Sequence, residues 1–181
     1  MSDRPLLVIS CSLNPTSRSR RLAQVAAAAA EAMGRRAEAI DLRDVDLPIC
    51  DGGDDVSVSA HELREKISRA HAVLLAAPVY NYDVNAAAKN LIEVTGSAWN
   101  GKVVGLMAAA GGRSSYMSLM GLANSLMLDF RCWVVPRFVY VTKDDAPEDA
   151  PIPKPLAARI EQLARTAWDA ASVLRQVKLT G

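Results

Sequence analysis

The densest run of chemical groups in this chain is Ser10-Cys11-Ser12-Leu13-Asn14-Pro15-Thr16-Ser17-Arg18-Ser19-Arg20. It carries hydroxyls at 10, 12, 16, 17 and 19, an amide at 14 and guanidinium groups at 18 and 20. Hydroxyls are short, directional donors, and arginine donors are charge-assisted. Leu22, Val25, Ala26, Ala29 and Met33 then recur at helical spacing, so the run opens a helix. A helix start offers unpaired N–H groups and a positive dipole end, which suit an anion. The run has no glycine, so it is not the G-x-G-x-x-G loop that brings pyrophosphate against bare backbone. A single terminal phosphate among Ser10, Ser12, Asn14, Ser17, Arg18 and Ser19 fits better. Serines favour any helix start, so a cap with a solvated turn is the competing account.

Two more loops carry unusual groups. Pro78-Val79-Tyr80-Asn81-Tyr82-Asp83 follows the apolar run Ala72 to Ala77, which Pro78 is expected to break. Two loop tyrosines can flank a planar ring, and Asn81 or backbone amides can bond its polar rim. Packing or a subunit contact would use the same tyrosines. Asp83 is placed to cap the next helix. Ala110-Gly111-Gly112-Arg113-Ser114-Ser115 pairs two glycines, which permit unusual backbone and close ligand approach. Taken alone, that pair is equally a plain turn. His61 and His71, on or beside a polar helix, are expected at the surface. Asp41, Asp44 and Asp46 cluster without a metal-binding pattern, and no G-x-S-x-G elbow is present. Neither a catalytic acid or base nor a metal ligand is assigned.

These loops need elements to position them. Short apolar runs at 5–10, 37–42, 72–77, 102–110 and 132–141 alternate with helical stretches. The helices read as 22–33 with Gly34 as stop, a polar helix ending near Ala70, about 84–95 with Gly96 as stop, 114 to about 128, and a last one. The last places Leu156, Ile160, Leu163, Ala167, Ala170 and Leu174 on one face. A Gly/Asp/Ser-rich loop, 51–59, precedes the polar helix, and an acidic, proline-rich connection covers 143–155. Five strands separated by helices predict an α/β three-layer sandwich on a parallel sheet in the order 2-1-3-4-5. Continuously apolar strands agree, since such a sheet is covered on both faces. All three loops then fall at carboxyl ends of strands, around the switch point where ligands bind.

The 181 residues fit one domain, 1–181. Half are hydrophobic and 23% charged, with net charge +1, which argues against disorder, nucleic acid and anionic membrane as partners. No signal-peptide core and no apolar run of about 20 residues is present. Cys11, Cys50 and Cys132 are odd in number and form no C-x-x-C pair, so reduced thiols in a cytoplasmic protein are expected.

Taken together in this order, the loops resemble the NADPH-dependent FMN reductase family, which includes flavin, quinone, azo-dye and chromate reductases. Against the family's G-S-x-R-x-x-S-x-x-R, Ser12, Ser17 and Arg20 match. Cys11 stands for the glycine and Asn14 for the first arginine, a lost charge that Arg18 is placed to supply. Pro78, Tyr80, Asn81, Tyr82, Lys89 and Asn90 match P-x-Y-N-Y and its helical L-K-N tail. Asn85-Ala86-Ala87-Ala88 replaces the usual Pro-Gly helix start, and Gly111-Gly112 matches the third loop. The resemblance implies a flavodoxin-like fold with FMN phosphate in the first loop. It puts the ring between Pro78, Val79, Tyr80, Asn81, Tyr82 and Gly111, Gly112, Arg113, Ser114. NADPH or NADH then stacks on the open face and passes hydride to N5. It also implies a homodimer or homotetramer, and a small-molecule electron acceptor or a flavin-dependent monooxygenase receiving reduced FMN. The alternatives are an electron-carrier flavodoxin, whose usual acidity this chain lacks, and a flavin-free switch or scaffold.

Overall fold

The computed structural model describes residues 4–53 and 57–180. Of the 51–59 loop, residues 54–56 lie outside the described residues. Seven strands form the sheet: β1 (Leu6–Ser10), β2 (Ala37–Asp41), β3 (Ala72–Tyr80), β4 (Asp83–Val84), β5 (Val103–Ala109), β6 (Trp133–Val134) and β7 (Val139–Val141). The helices are α1 (Arg18–Ala32), α2 (Val58–Arg69), α3 (Ala86–Thr95), α4 (Leu119–Phe130) and α5 (Lys154–Thr180). The parallel order is β2-β1-β3-β5, and β6 and β7 both pair with β5 on its free side. With β6 and β7 counted as one interrupted strand, this is the expected 2-1-3-4-5. The interruption, 135–138, contains Pro136, which has no N–H for the ladder and is tolerated at an edge.

Alternation along β1 sorts the core. Leu6 and Val8 face α1 and α5 and pack with Leu22, Ala26, Ile160 and Leu163. Leu7 and Ile9 face the other layer, with Leu63, Ile67, Leu91, Leu122 and Leu126 of α2, α3 and α4. These residues are buried, which makes hydrophobic burial the main stabilising contribution. Gly105 lets α5 close on the sheet, because a Cβ there would lie 2.5 Å from Leu74 and 3.1 Å from Leu163.

The sequence reading misplaced three boundaries. β3 does not break at Pro78 but runs on to Tyr80, with Pro78 paired opposite Ala109. The Ala76 carbonyl accepts from Cys11 N on the β1 side. Two residues on, Pro78 faces that same side, where β1 has already ended, so its missing N–H leaves no strand bond unmade. α3 begins at Ala86, because Val84 is taken by pairing opposite Val79. Residues 113–118 form a 3-10 turn, and α4 proper begins at Leu119.

Candidate functional site

The first loop leaves β1 at Ser10, which is 2% exposed. Cys11 N donates to the Ala76 carbonyl at 2.9 Å, fastening the loop to β3. Asn14 N donates to Ser12 Oγ at 3.2 Å, and Asn14 Oδ1 accepts from Thr16 N and Thr16 Oγ1. Asn14 therefore shapes its own turn. Ser17 and Ser19 are buried with their hydroxyls 2.6 Å apart. Ser17 holds the N-cap position of α1 but makes no cap bond, whereas Ser57 at α2 accepts from Ala60 N at 3.2 Å. The first-turn N–H groups of α1 thus have no side-chain cap, the arrangement that serves an anion.

Three arginines leave this turn in different directions. Arg20 Nε lies 3.2 Å from Asp41, which Arg43 also holds. Arg21 donates to the carbonyls of Pro147 and Ala150. Arg18 meets Glu148 only at 3.5 Å, and its Nε is buried without a partner. Of the three, Arg18 is the one with a buried donor left unpartnered. The 143–155 connection, read from sequence as a plain connection, supplies these partners and so walls the site.

Beyond β3, Asn81 and Tyr82 have φ of 51° and 66°, joining β3 to β4 as a two-residue hairpin turn. A left-handed tyrosine costs about 1 kcal/mol, and such outliers concentrate at functional sites. Tyr80 and Tyr82 are 54% and 67% exposed. Asp83 does not cap α3, because the hairpin directs its Oδ1 to Val84 N at 2.7 Å. Asn85 takes the cap position. Its N–H donates to the Pro78 carbonyl at 3.1 Å and its Nδ2 to the Cys11 carbonyl at 2.7 Å.

After β5, Gly111 and Gly112 are exposed, and a Cβ at either would meet nothing within 4 Å. Gly112 is extended, so here the glycines leave open space and adopt no backbone that other residues resist. The Gly112 carbonyl accepts from the Tyr140 hydroxyl, and Tyr116 packs edge-on against Tyr140 at 5.5 Å. Arg113 reaches Asp145 at 3.3 Å. Asp145 also accepts from Thr142 N and Oγ1, and these bonds hold its carboxyl below the usual range. Ser114 is exposed beside this turn.

Sequence reasoning missed Asn85, Tyr116, Ser118 and Thr142 at this edge. Thr142 had a positional signal, since it closes the last strand at the carboxyl edge. Asn85 had one in being a cap residue before an alanine run. His71 was misplaced: it is 4% exposed, stacked on Trp168 at 4.0 Å, with Nε2 at 3.1 Å from Trp168 O and 3.0 Å from Ser172 Oγ. It stands before β3, at the opposite end of the sheet, and His61 is exposed. Burial pushes the Cys11 thiol up to about 12, with Asp41 adding to it, so Cys11 packs in the core as a protonated thiol. Among the described residues no group of His, Cys, Asp and Glu suits a metal, and no helix is long and apolar enough to cross a membrane.

Among the described residues, five buried side-chain atoms have no hydrogen-bond partner: Ser10 Oγ, Arg18 Nε, Asn85 Oδ1, Ser118 Oγ and His71 Nδ1. The first four stand at the carboxyl edge. Buried polar atoms are normally satisfied, so such a group of exceptions fits a polar ligand. The model of the NADPH-dependent FMN reductase family matches residues 5–146. Among solved structures, an apo NADH:FMN oxidoreductase (EMOB) superposes with a TM-score of 0.75 at 16% identity, covering 92% of this chain and 89% of that one. An oxidoreductase from Corynebacterium diphtheriae gives 0.75 at 22% identity, covering 97% and 99%. The flavoenzyme NAD(P)H:(acceptor) oxidoreductase (FerB) from Paracoccus denitrificans gives 0.73 at 21%, covering 93% and 97%. At these identities the likeness establishes a shared fold, the flavodoxin-like one.

Proposed function

The chain belongs to the NADPH-dependent FMN reductase family, and from that premise we propose that it holds FMN across its three carboxyl-edge loops and passes electrons from NAD(P)H to a small acceptor. It is an oxidoreductase with FMN and NAD(P)H as cofactor and substrate. The observation that carries the site assignment is the uncapped start of α1 beside buried, unpartnered Ser10 Oγ and Arg18 Nε. These groups suit a phosphate and its polyol arm.

Ser12, Ser17, Ser19 and the first-turn N–H groups bind the phosphate, and Arg18 adds charge. Asn14 sets the turn that aims them. Pro78, Val79, Tyr80, Asn81 and Tyr82 support one side of the ring. Gly111, Gly112, Arg113 and Ser114 line the other, with no Cβ at the glycines to obstruct a stacking ring. FMN held by these residues would supply the redox chemistry, hydride acceptance from the nicotinamide and electron donation to the acceptor. No side-chain acid or base is assigned to that transfer. Free flavin, quinone, azo compound and metal oxyanion all fit as acceptors, as does handing reduced FMN to a flavin-dependent monooxygenase.

The whole chain, 1–181, acts as one FMN-binding unit. Exposed Met117, Met120, Met127 and Leu128 of the α4 region and nearby Trp133 support a homodimer or homotetramer. Free Cys11, Cys50 and Cys132 suit a reducing compartment such as the cytoplasm.

The test is anaerobic stopped-flow absorbance of the FMN-loaded protein. NADH or NADPH alone should bleach the bound flavin before any acceptor is added. If neither reduces it faster than free FMN in solution, the reductase reading fails and an electron carrier replaces it.

A further inference from the structure

Asn85 occupies the cap position of α3, where an asparagine ordinarily turns its side chain onto the first-turn N–H groups. It makes no such bond. Its amide instead crosses to the first loop and donates to the Cys11 carbonyl at 2.7 Å. Its backbone N–H meanwhile donates to the Pro78 carbonyl at 3.1 Å, at the base of the tyrosine hairpin. The residue is 6% exposed, and its Oδ1 is buried without a partner. One buried side chain therefore gives up local capping to bridge the two loops.

We infer that Asn85 is a positioning residue, a strap that fixes the spacing between the hydroxyl-rich loop and the tyrosine hairpin. This rests on the reading that FMN spans both loops. A ligand engaging two subsites gains from their spacing being preset, because the second contact then forms at high effective concentration. A ligand resting on one loop gains nothing from the strap. Loss of Asn85 should therefore weaken the spanning ligand and spare its two parts, a signature that general loosening of the fold does not produce.

The experiment compares full-length apo-protein of wild type, Asn85→Ala and Asn85→Ser. Asn85→Ser is too short to donate to the Cys11 carbonyl, adds no charge beside an anion site and can cap α3 in the ordinary way, which supports folding if Asn85→Ala does not fold. FMN and lumiflavin, the flavin ring without its polyol arm, are titrated by flavin fluorescence, and inorganic phosphate by amide shifts of the 10–20 loop. The expected result is an FMN affinity reduced about five- to tenfold in both variants, with lumiflavin and phosphate within about twofold of wild type. Unchanged FMN affinity overturns the strap, and so does a fall for lumiflavin or phosphate as large as that for FMN. Wild-type protein that does not bind FMN sinks the reading of the site, and the strap with it.

Discussion

At the amino edge of the sheet, buried polar groups are consumed by the protein itself. His71 is stacked on Trp168, bonded to Trp168 O and Ser172 Oγ, and its own N–H donates to the Pro5 carbonyl at 2.7 Å. The Arg35 guanidinium lies 5.1 Å over the same indole, and Arg175 and Lys102 both donate to the Ala70 carbonyl at the end of α2. Among the described residues, only His71 Nδ1 is left over there. At the carboxyl edge the opposite holds, with Ser10 Oγ, Arg18 Nε, Asn85 Oδ1 and Ser118 Oγ buried and unpartnered. Equally buried side chains thus serve different ends. One edge uses its polar groups to join α5 and α2 to the sheet, and the other keeps them for a ligand. Stability and ligand affinity should therefore separate by edge.

The largest effect should come from Trp168→Ala. Trp168 is 5% exposed and carries both the His71 stack and the Arg35 contact. Removing a buried aromatic side chain costs about 3–5 kcal/mol, to be read by urea denaturation. FMN affinity of the folded variant should stay within about twofold of wild type. A large loss of affinity there would break the comparison.

Arg18→Ala probes the other edge. Its one protein partner among the described residues, Glu148, is 3.5 Å away with its side chain 55% exposed, so the urea midpoint should hardly move. Losing a charge-assisted bond costs about 1.5–3 kcal/mol, or roughly tenfold or more in FMN affinity. Riboflavin, lacking the phosphate, should be indifferent. FMN binding as tight as wild type would remove Arg18 from the site.

The smallest effect is a pH dependence. Burial, aided by Arg175, Arg35 and Arg4, lowers the His71 pKa from the ordinary 6.5, although its bond to Trp168 opposes the shift. A lowered folded pKa means that the unfolded chain binds the proton more readily. His71's contribution is therefore complete above pH 6.5 and is lost as pH falls through the window from 6.5 down to the lowered folded value. Melting temperature should fall over that window in wild type and less in His71→Phe. Parallel profiles would show that His71 does not titrate there.

Much of the fold was legible in the chain. Continuous apolar strands between helical stretches leave few parallel arrangements, and the sheet adopted the expected order. The local errors come from surroundings that a window of sequence does not show, remote for Pro78 and His71 and a short hairpin for Asp83. Pro78 looked like a strand breaker, yet β1 ends before its side of the ladder is needed. His71 looked like a surface residue beside a polar helix, but the indole that covers it comes 97 residues later. Asp83 looked like a helix cap until hairpin pairing took its neighbour, Val84. The glycines after β5 looked like a conformational device, and the structure uses them as open space.

Taken by itself, the sequence determined which elements alternate and which chemical groups gather at the carboxyl ends of the strands, because hydrophobic period and side-chain type are local properties. It could not determine which of those groups find protein partners. Arg18 meets Glu148 across 130 residues, and Asn85 meets Cys11 across 74. Serines and arginines that look equivalent in the first loop are sorted into spent and available only when β2, α3 and the 143–155 connection close around them. A hydrogen bond needs both partners at about 3 Å, and only the folded chain sets that distance.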